Sequence, residues 1–376
     1  MASGDRHYLT VRGPGGHNYG YGRMQTSFEE HLTSLVDLVD DAEVVVNIMP
    51  PDIVKGWWAG QRRVLFTMWE TSFIPPKYHE PLPQFDQVLV PCEHNRELFE
   101  QYHDNVAVVP LGIDTKFWKP SPRPKNSTFR FLAGGSHWKR KGLDAVVEAW
   151  NRLRPAGAEL VLKCPPVIIG GVPKFDVPNV TVINHWLSMD EERDLYRSAD
   201  CFIAASRGEG WGLMPLQAIS AGIPTLVTDT SGHKEFAHLA TRLIATNPAD
   251  AVYDRYYQGG LWDEPDVDSL VDGMTWMLDN RSEAKVSAEV SAKERHKYSW
   301  AKAADKLVDT VQPTTGRLTR KTWQFADEAM VSVTVNRKVV ADIGRHHVRL
   351  GKGETARVSI NVRDTLRDAG YLLETL

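Results

Sequence analysis

The sequence predicts an α/β protein of two successive doubly wound, Rossmann-like domains, each with its own parallel sheet. Three observations carry that expectation. Short runs rich in Val, Ile and Leu alternate with helical patterns over residues 9–311. Those runs lack polar alternation, as expected of parallel strands buried on both faces. The pattern stops at the proline-rich stretch 119–126 (KPSPRPKN) and then starts again.

The first domain reads as strands at 9–13, 43–49, 63–69, 87–92 and 106–111, with a helix over 23–39. The second reads as strands at 129–133, 159–164, 180–184, 201–205 and 225–228. Its helices read as 143–153, 189–199, 213–221 and 267–278, with more helix across 282–311. Ligands bind such sheets at the carboxyl ends of their strands, here in the cleft between the domains. The last segment changes character. Strands at 331–335, 339–343, 347–350 and 356–362 and a short helix at 364–375 read as a small β-rich appendage.

Composition excludes several classes. The chain has 376 residues, 42% hydrophobic and 24% charged, the balance of a globular protein of two domains. No apolar run reaches the roughly 18 residues of a membrane span. The first residues, Met1-Ala2-Ser3-Gly4-Asp5, do not resemble a secretion signal. Cys92, Cys164 and Cys201 lie far apart with no CxxC pair, which argues against a disulfide framework or structural zinc. The expectation is a reduced, cytoplasmic protein. Net charge is −4, split as +4 over residues 311–376 and −8 over the rest. The basic tail reads as a solvated face, or as a surface for a polyanion.

Three loops carry candidate chemistry. Strand 9–13 runs into Pro14-Gly15-Gly16 and, through Gly20 and Gly22, into a helix. Such glycines let backbone amides approach a ligand, and a helix N-terminus favours an anion. The loop is not a P-loop, and it reads as a phosphate site or as a plain tight turn. In the second domain Lys139-Arg140-Lys141 precedes Gly142 and a helix. Cations at a helix start oppose its dipole, a cost that makes sense if they face a bound anion. A solvated loop is the plainer alternative. The third loop, Ser206-Arg207-Gly208-Glu209-Gly210-Trp211-Gly212-Leu213, follows strand 201–205. Glu209 between glycines at a strand end fits a carboxylate facing a cleft. Gln217 follows near the start of the next helix. Carboxylates and amides suit hydroxyl-rich ligands, because each makes several hydrogen bonds.

These residues resemble the signature of GT-B fold glycosyltransferases, especially the large retaining family 4. That signature is EGFGL followed by EAxAxGxP. The resemblance runs in order over roughly residues 9–312. Pro110–Asp114 with Phe117–Pro120 is similar to PxGVD…F.P, and Arg140-Lys141-Gly142 to the RKG turn. Leu195–Asp200 is similar to LY..AD, and Tyr298-Ser299-Trp300 to FSW. Phe66–Ser72 with Ile74-Pro75 is similar to a subgroup carrying MFET or MWET before IP.

The resemblance implies roles residue by residue. Gly15 and Gly16 would contact the donor diphosphate. Lys141 would neutralise the leaving pyrophosphate, where a fixed cation stabilises the charge built in the transition state. Glu209 would hold sugar hydroxyls near the anomeric carbon, within the donor-binding run Gly210, Trp211, Gly212 and Leu213. Gln217 stands where the family carries a ribose-binding glutamate; an amide still donates and accepts. Gly135 stands where many members carry an arginine, with Lys139 or Arg140 as substitutes. Glu70 stands near the place of a family histidine. It reads as a base for the acceptor hydroxyl, as a sugar-binding group or as a turn cap. Glu209, Glu70 and Lys141 are thus the catalytic candidates. Front-side attack and double displacement both fit a retaining reaction.

Trp57 and Trp58 read as acceptor-stacking aromatics or as core. Asp266-Val267-Asp268 spells DxD, but after Pro265 it reads better as a helix N-cap. No tightly bound cofactor or metal is expected. The co-substrate is a nucleoside-diphosphate sugar, with UDP-hexose ahead of a GDP-sugar. The expected activity moves the sugar to a hydroxyl on a glycan, a protein or a hydroxylated nucleic-acid base. The alternatives are a non-catalytic sugar-nucleotide or glycan-binding module and a nucleotide-sugar epimerase of the same fold. The domain boundaries are 1–118 (acceptor domain), 119–297 (donor domain), 298–312 (a helix returning to the first domain) and 313–376 (the basic appendage).

Overall fold

The computed structural model describes residues 6–16, 20–124, 127–166, 177–252 and 257–319. Beyond these it describes the backbone of strands at 323–325, 330–334, 339–343, 346–350 and 355–359. The first domain carries β1 (Tyr8–Arg12), β2 (Asp37–Leu38), β3 (Val44–Ile48), β4 (Gly56–Trp58), β5 (Arg62–Phe66), β6 (Gln87–Val90) and β7 (Val106–Val108). Six of these form one parallel sheet in the order β2-β1-β3-β5-β6-β7. All five residues of β3 are buried, as expected of a strand covered on both faces. Its helices are α1 (Gly20–Leu32), α2 (Pro76–His79) and α3 (Glu93–Phe99).

The second domain carries β8 (Phe129–Gly134), β9 (Ala158–Lys163), β10 (Val180–Ile183), β11 (Cys201–Ala204), β12 (Thr225–Thr228) and β13 (Arg242–Ile244). They pair in parallel in the order β10-β9-β8-β11-β12-β13. That is the doubly wound order whose direction reverses beside the first strand, between β8 and β11. In the first sheet the reversal lies between β1 and β3. Loops at these two reversals hold Gly15 and Gly16, the Lys139–Lys141 turn and Glu209, while Glu70 follows β5. Helices α4 (Leu143–Leu153), α5 (Met189–Arg197), α6 (Leu213–Ser220), α7 (Val267–Asp279) and α8 (Arg281–Ser291) accompany the second sheet.

Helix α9 (Trp300–Val311) returns to the first domain. Trp300 meets Phe28 of α1 edge to face, with ring centroids 5.3 Å apart. One apolar core then runs from Leu9, Phe28 and Phe66 through Trp300 and Leu307 to Leu132, Phe202 and Phe236 of the second domain. The connection between domains is also pinned: both terminal nitrogens of Arg123 donate to second-domain carbonyls, those of Ala199 and Gly222.

Several expectations change in detail. The first helix spans Gly20–Leu32, not 23–39, because residues 37–38 join the sheet edge as β2. The helical stretch 282–311 is broken by a 3₁₀ segment, Ala292–Tyr298, and restarts where Ser299 caps α9. Asp266 caps α7 by accepting from the Ser269 amide at 2.7 Å, the role expected of the DxD. A hairpin of β14 (Thr246–Asp250) and β15 (Leu261–Pro265) was not foreseen. After Arg317, which pairs with Asp41 at 2.6 Å, strand β16 (Trp323–Phe325) lies antiparallel to β4. Two further antiparallel pairs follow, β17 (Met330–Thr334) with β20 (Thr355–Ser359) and β18 (Val339–Ile343) with β19 (His346–Leu350). The helix expected at 364–375 lies outside the described residues.

Candidate active site

Glu209 leads the third loop, just past the end of β11, and only 5% of it is exposed. Its Oε1 accepts from Lys141 Nζ at 2.5 Å and from Ser206 Oγ at 2.6 Å. Its Oε2 lies 3.2 Å from Arg140 Nη1. Its backbone amide donates to Ser231 Oγ at 2.8 Å. Burial alone would raise the carboxyl. The two cations outweigh that and hold it well below the usual carboxylate range. Lys141 is lowered by its own burial and by Arg140, while Glu209 pulls it back up. The result is a buried cluster of two cations and one carboxylate at the reversal point of the second sheet.

Glu70 comes from the first domain. Its Oε1 faces Arg140 Nη2 at 3.7 Å, and its Oε2 accepts from Tyr257 Oη at 3.2 Å. Burial raises its pKa; Arg140 opposes that rise and Glu209 adds to it. Arg140 therefore stands between two carboxylates of different domains, and it also donates to the Gly208 carbonyl at 2.6 Å.

The glycines of this loop permit the closeness. A Cβ at Gly208 would lie 1.9 Å from the Glu70 carbonyl oxygen, and one at Gly210 would lie 2.5 Å from Met68 sulfur. Cys92 reinforces the contact by donating to the Gly210 carbonyl at 3.2 Å. Gly135 has a similar reason. A Cβ there would lie 2.3 Å from Lys141 Cγ, so this residue makes way for the Lys141 side chain.

The remaining candidates fall in different places. Lys139 turns away: its Nζ pairs with Asp144 at 3.3 Å and sits 4.6 Å from the Trp138 ring. Gln217 and Trp211 are buried, and Gln217 Oε1 and Trp211 Nε1 have no hydrogen-bond partner among the described residues. Gly212 precedes α6, which Leu213 opens. Gly15 and Gly16 have φ of 63° and 81° with open space where a Cβ would stand, and the Gly15 amide donates to Gln25 Oε1 at 2.8 Å. Of its two readings, Trp57 takes the core one. It is buried among Val45, Leu65 and Phe85, with Arg63 over its ring at 5.0 Å. Trp58 is partly buried on the same strand, whose backbone is laddered to β16.

The sequence reading missed several residues. Ser206 lies at the end of a predicted strand, and Ser231 and His233 lie just after another, so position held a signal for all three. Arg207 binds Asp144 at 2.8 Å and Glu264 at 2.5 Å, tying the Lys139–Lys141 turn to β15. A second buried ionic cluster crosses the domains: Arg23 of α1 pairs at 2.6 Å with Glu192 of α5, which also binds Lys163. No local pattern announces a pairing 169 residues apart. Among the described residues, no group of three or more His, Cys, Asp or Glu side chains is placed to hold a metal ion. Nor is any described helix long and apolar enough to cross a membrane.

Two parallel α/β domains with facing loops at their sheet reversals define a GT-B architecture. The fold matches HepE from Anabaena, solved with UDP and glucose. The TM-score is 0.57 at 11% identity, over 82% of this chain and 99% of that one. Residues 92–307 match the family described as family 4 glycosyltransferases in conflict systems, and the chain belongs to that family. Among curated proteins, it is 45% identical over 147 residues to the lipopolysaccharide core biosynthesis mannosyltransferase LpsB of Rhizobium meliloti, covering 34% of this chain and 42% of LpsB. It is 25% identical over 160 residues to a putative glycosyltransferase of a Sulfolobus islandicus filamentous virus, covering 42% of this chain and 44% of the viral protein. The chain thus spans less than half the length of these curated relatives.

Proposed function

We propose that this protein transfers a hexose from a nucleoside-diphosphate sugar to a hydroxyl acceptor, with retention at the anomeric carbon. The observation that carries the reading is the Glu209 carboxylate bound by Lys141 and Arg140 at the reversal of the second sheet. An incoming diphosphate exchanges for Glu209 on these cations, and the freed carboxylate takes sugar hydroxyls. The bond from the anomeric carbon to the phosphate oxygen then breaks. Its electron pair leaves on the diphosphate, where fixed cations stabilise the charge. The acceptor oxygen bonds to the anomeric carbon, and Glu70 receives its proton.

Family membership and the UDP and glucose held by HepE support a UDP-hexose donor, with GDP-mannose as the other candidate. Residues 1–118 then form the acceptor domain and 119–297 the donor domain, with 298–312 closing on the first and 313–376 as an appendage. Gly15 and Gly16 lie at the corresponding reversal of the first sheet and serve the diphosphate. Three buried, unbridged cysteines suit a cytoplasmic setting.

Thermal unfolding with UDP-glucose and GDP-mannose tests the donor. A ligand at about 100 times its Kd adds roughly 2.7 kcal/mol. One donor should raise the Tm in the wild type and fail to do so in Lys141→Ala. Glu209→Ala should abolish nucleoside diphosphate release from that donor. Unshifted melting with every nucleoside-diphosphate sugar, or undiminished release by Glu209→Ala, would count against the proposal.

A further inference from the structure

The hairpin β14–β15 follows edge strand β13 of the second sheet but docks on the first domain. The Ser72 amide donates to the Leu261 carbonyl at 2.9 Å, and the Leu261 amide donates to Ser72 Oγ at 2.8 Å. A Cβ at Gly260 would lie 2.7 Å from Thr71 Oγ1, so the chains touch directly. Inside this contact the Tyr257 ring lies edge-on to Trp69 at 5.4 Å and is 8% exposed. Its hydroxyl donates to Glu70 Oε2 at 3.2 Å. Arg140 faces the other oxygen of Glu70. Glu70 is therefore carried by the first domain, while both of these partners come from the second.

We propose that Tyr257 is a positioning residue for Glu70, carried across the domain interface by the hairpin to aim its carboxylate at the acceptor hydroxyl. The proposal rests on the reading of Glu70 as the acceptor-side base. The acceptor proton goes to Glu70 as the acceptor oxygen bonds to the anomeric carbon and the nucleoside diphosphate departs with its electron pair. Six titratable groups act on or near Glu70 among the described residues: Arg140 and Lys141, which favour its ionised form, Glu209, which opposes it, the Tyr257 hydroxyl, which favours it, and the neutral Tyr21 and Tyr78 hydroxyls of the first domain. The Tyr257 bond that fixes the direction of the Glu70 carboxylate exists only while the hairpin is docked. Acceptor activation is thereby coupled to the closed arrangement of the domains.

Tyr257→Phe removes one hydroxyl and keeps the ring against Trp69. In protein labelled with ¹³C at its glutamate carboxyls, the signal absent from Glu70→Gln belongs to Glu70. Its titration midpoint should be higher in Tyr257→Phe than in the wild type, a readout that needs no donor. The acid limb of UDP release from UDP-glucose should move to higher pH with it, with kcat lowered and the donor KM unchanged. A midpoint equal to that of the wild type would overturn the proposal. Glu70→Gln should lower turnover about 100-fold or more, the scale of general base catalysis. Turnover retained in Glu70→Gln would instead sink the base reading of Glu70, and the proposal with it, whatever the titration gives.

Discussion

His233 gives the candidate site a pH signature that can be worked out in advance. It lies in the 3₁₀ turn Ser231–Glu235 after β12 and is fully buried. Its Nδ1 faces the Thr228 carbonyl at 3.1 Å, which keeps the proton on Nδ1 and leaves Nε2 a bare acceptor. Nε2 has no hydrogen-bond partner among the described residues. A Cβ at Gly212 would lie 2.5 Å from its Cδ2, so the ring presses against the Glu209 loop. Burial, helped by Lys141 and Arg140 and opposed by Glu209, pushes its pKa down from 6.5 to about 4. An unfolded chain protonates histidine near the ordinary value, so between the two values the unfolded state binds more protons. Stability therefore falls as pH is lowered from about 6.5 towards about 4. At 1.36 kcal/mol per pH unit the loss is roughly 3 kcal/mol, of which about 2 falls between pH 7 and 5. His233→Asn keeps a donor for Thr228, does not titrate, and leaves a cavity whose cost is independent of pH. Urea unfolding of both proteins across this range measures the difference. The wild type should start more stable and lose about 2 kcal/mol of its lead by pH 5. The partly buried His79 and His94, whose pKa values burial also lowers, titrate alike in both proteins and cancel. Parallel curves would refute the buried neutral imidazole.

Three further outcomes follow from the packing. Glu192→Ala leaves the buried Lys163 ammonium without its carboxylate, beside the partly buried Arg23, and should cost about 3–5 kcal/mol in urea unfolding; a loss under 1 kcal/mol would mean that water already screens the cluster. Gly208→Ala places a methyl 1.9 Å from the Glu70 carbonyl and should push the domains apart. Small-angle scattering should then give a larger radius of gyration, and an unchanged radius would show that the loop yields instead. Trp57→Ala should cost about 3–5 kcal/mol of stability as a core truncation; loss of acceptor binding at unchanged stability would restore it as a ligand contact.

Much of the site was legible because its residues lie at strand ends. Glu209 and Lys141 stand on loops that directly follow buried apolar runs, and an α/β sheet gathers such loops at its reversal. The hairpin β14–β15 was not legible. Its strands, TNPAD and LWDEP, contain prolines and acidic residues that disfavour strands in isolation. Packing of Ala251, Tyr257 and Trp262 against Val45 and Trp69 of the other domain accompanies their pairing. Tyr257 and its contact with Glu70 were hidden for the same reason.

The sequence by itself determined two parallel sheets, the loops that carry the chemistry, and the kind of charge on each. Those features are local: burial on both faces of a strand and glycines at its end are written within about ten residues. Tertiary structure alone decided which charges meet. Of three successive cations, Arg140 and Lys141 face Glu209, while Lys139 is turned to Asp144. Neighbouring residues of one turn point in different directions, and only the folded arrangement of the surrounding loops determines which direction meets a partner. The same holds for Arg140 between Glu70 and Glu209, and for Arg23 on Glu192. Apart from Lys139 on Asp144, each pairing joins residues far apart in the chain, held together by a core that closes across both domains.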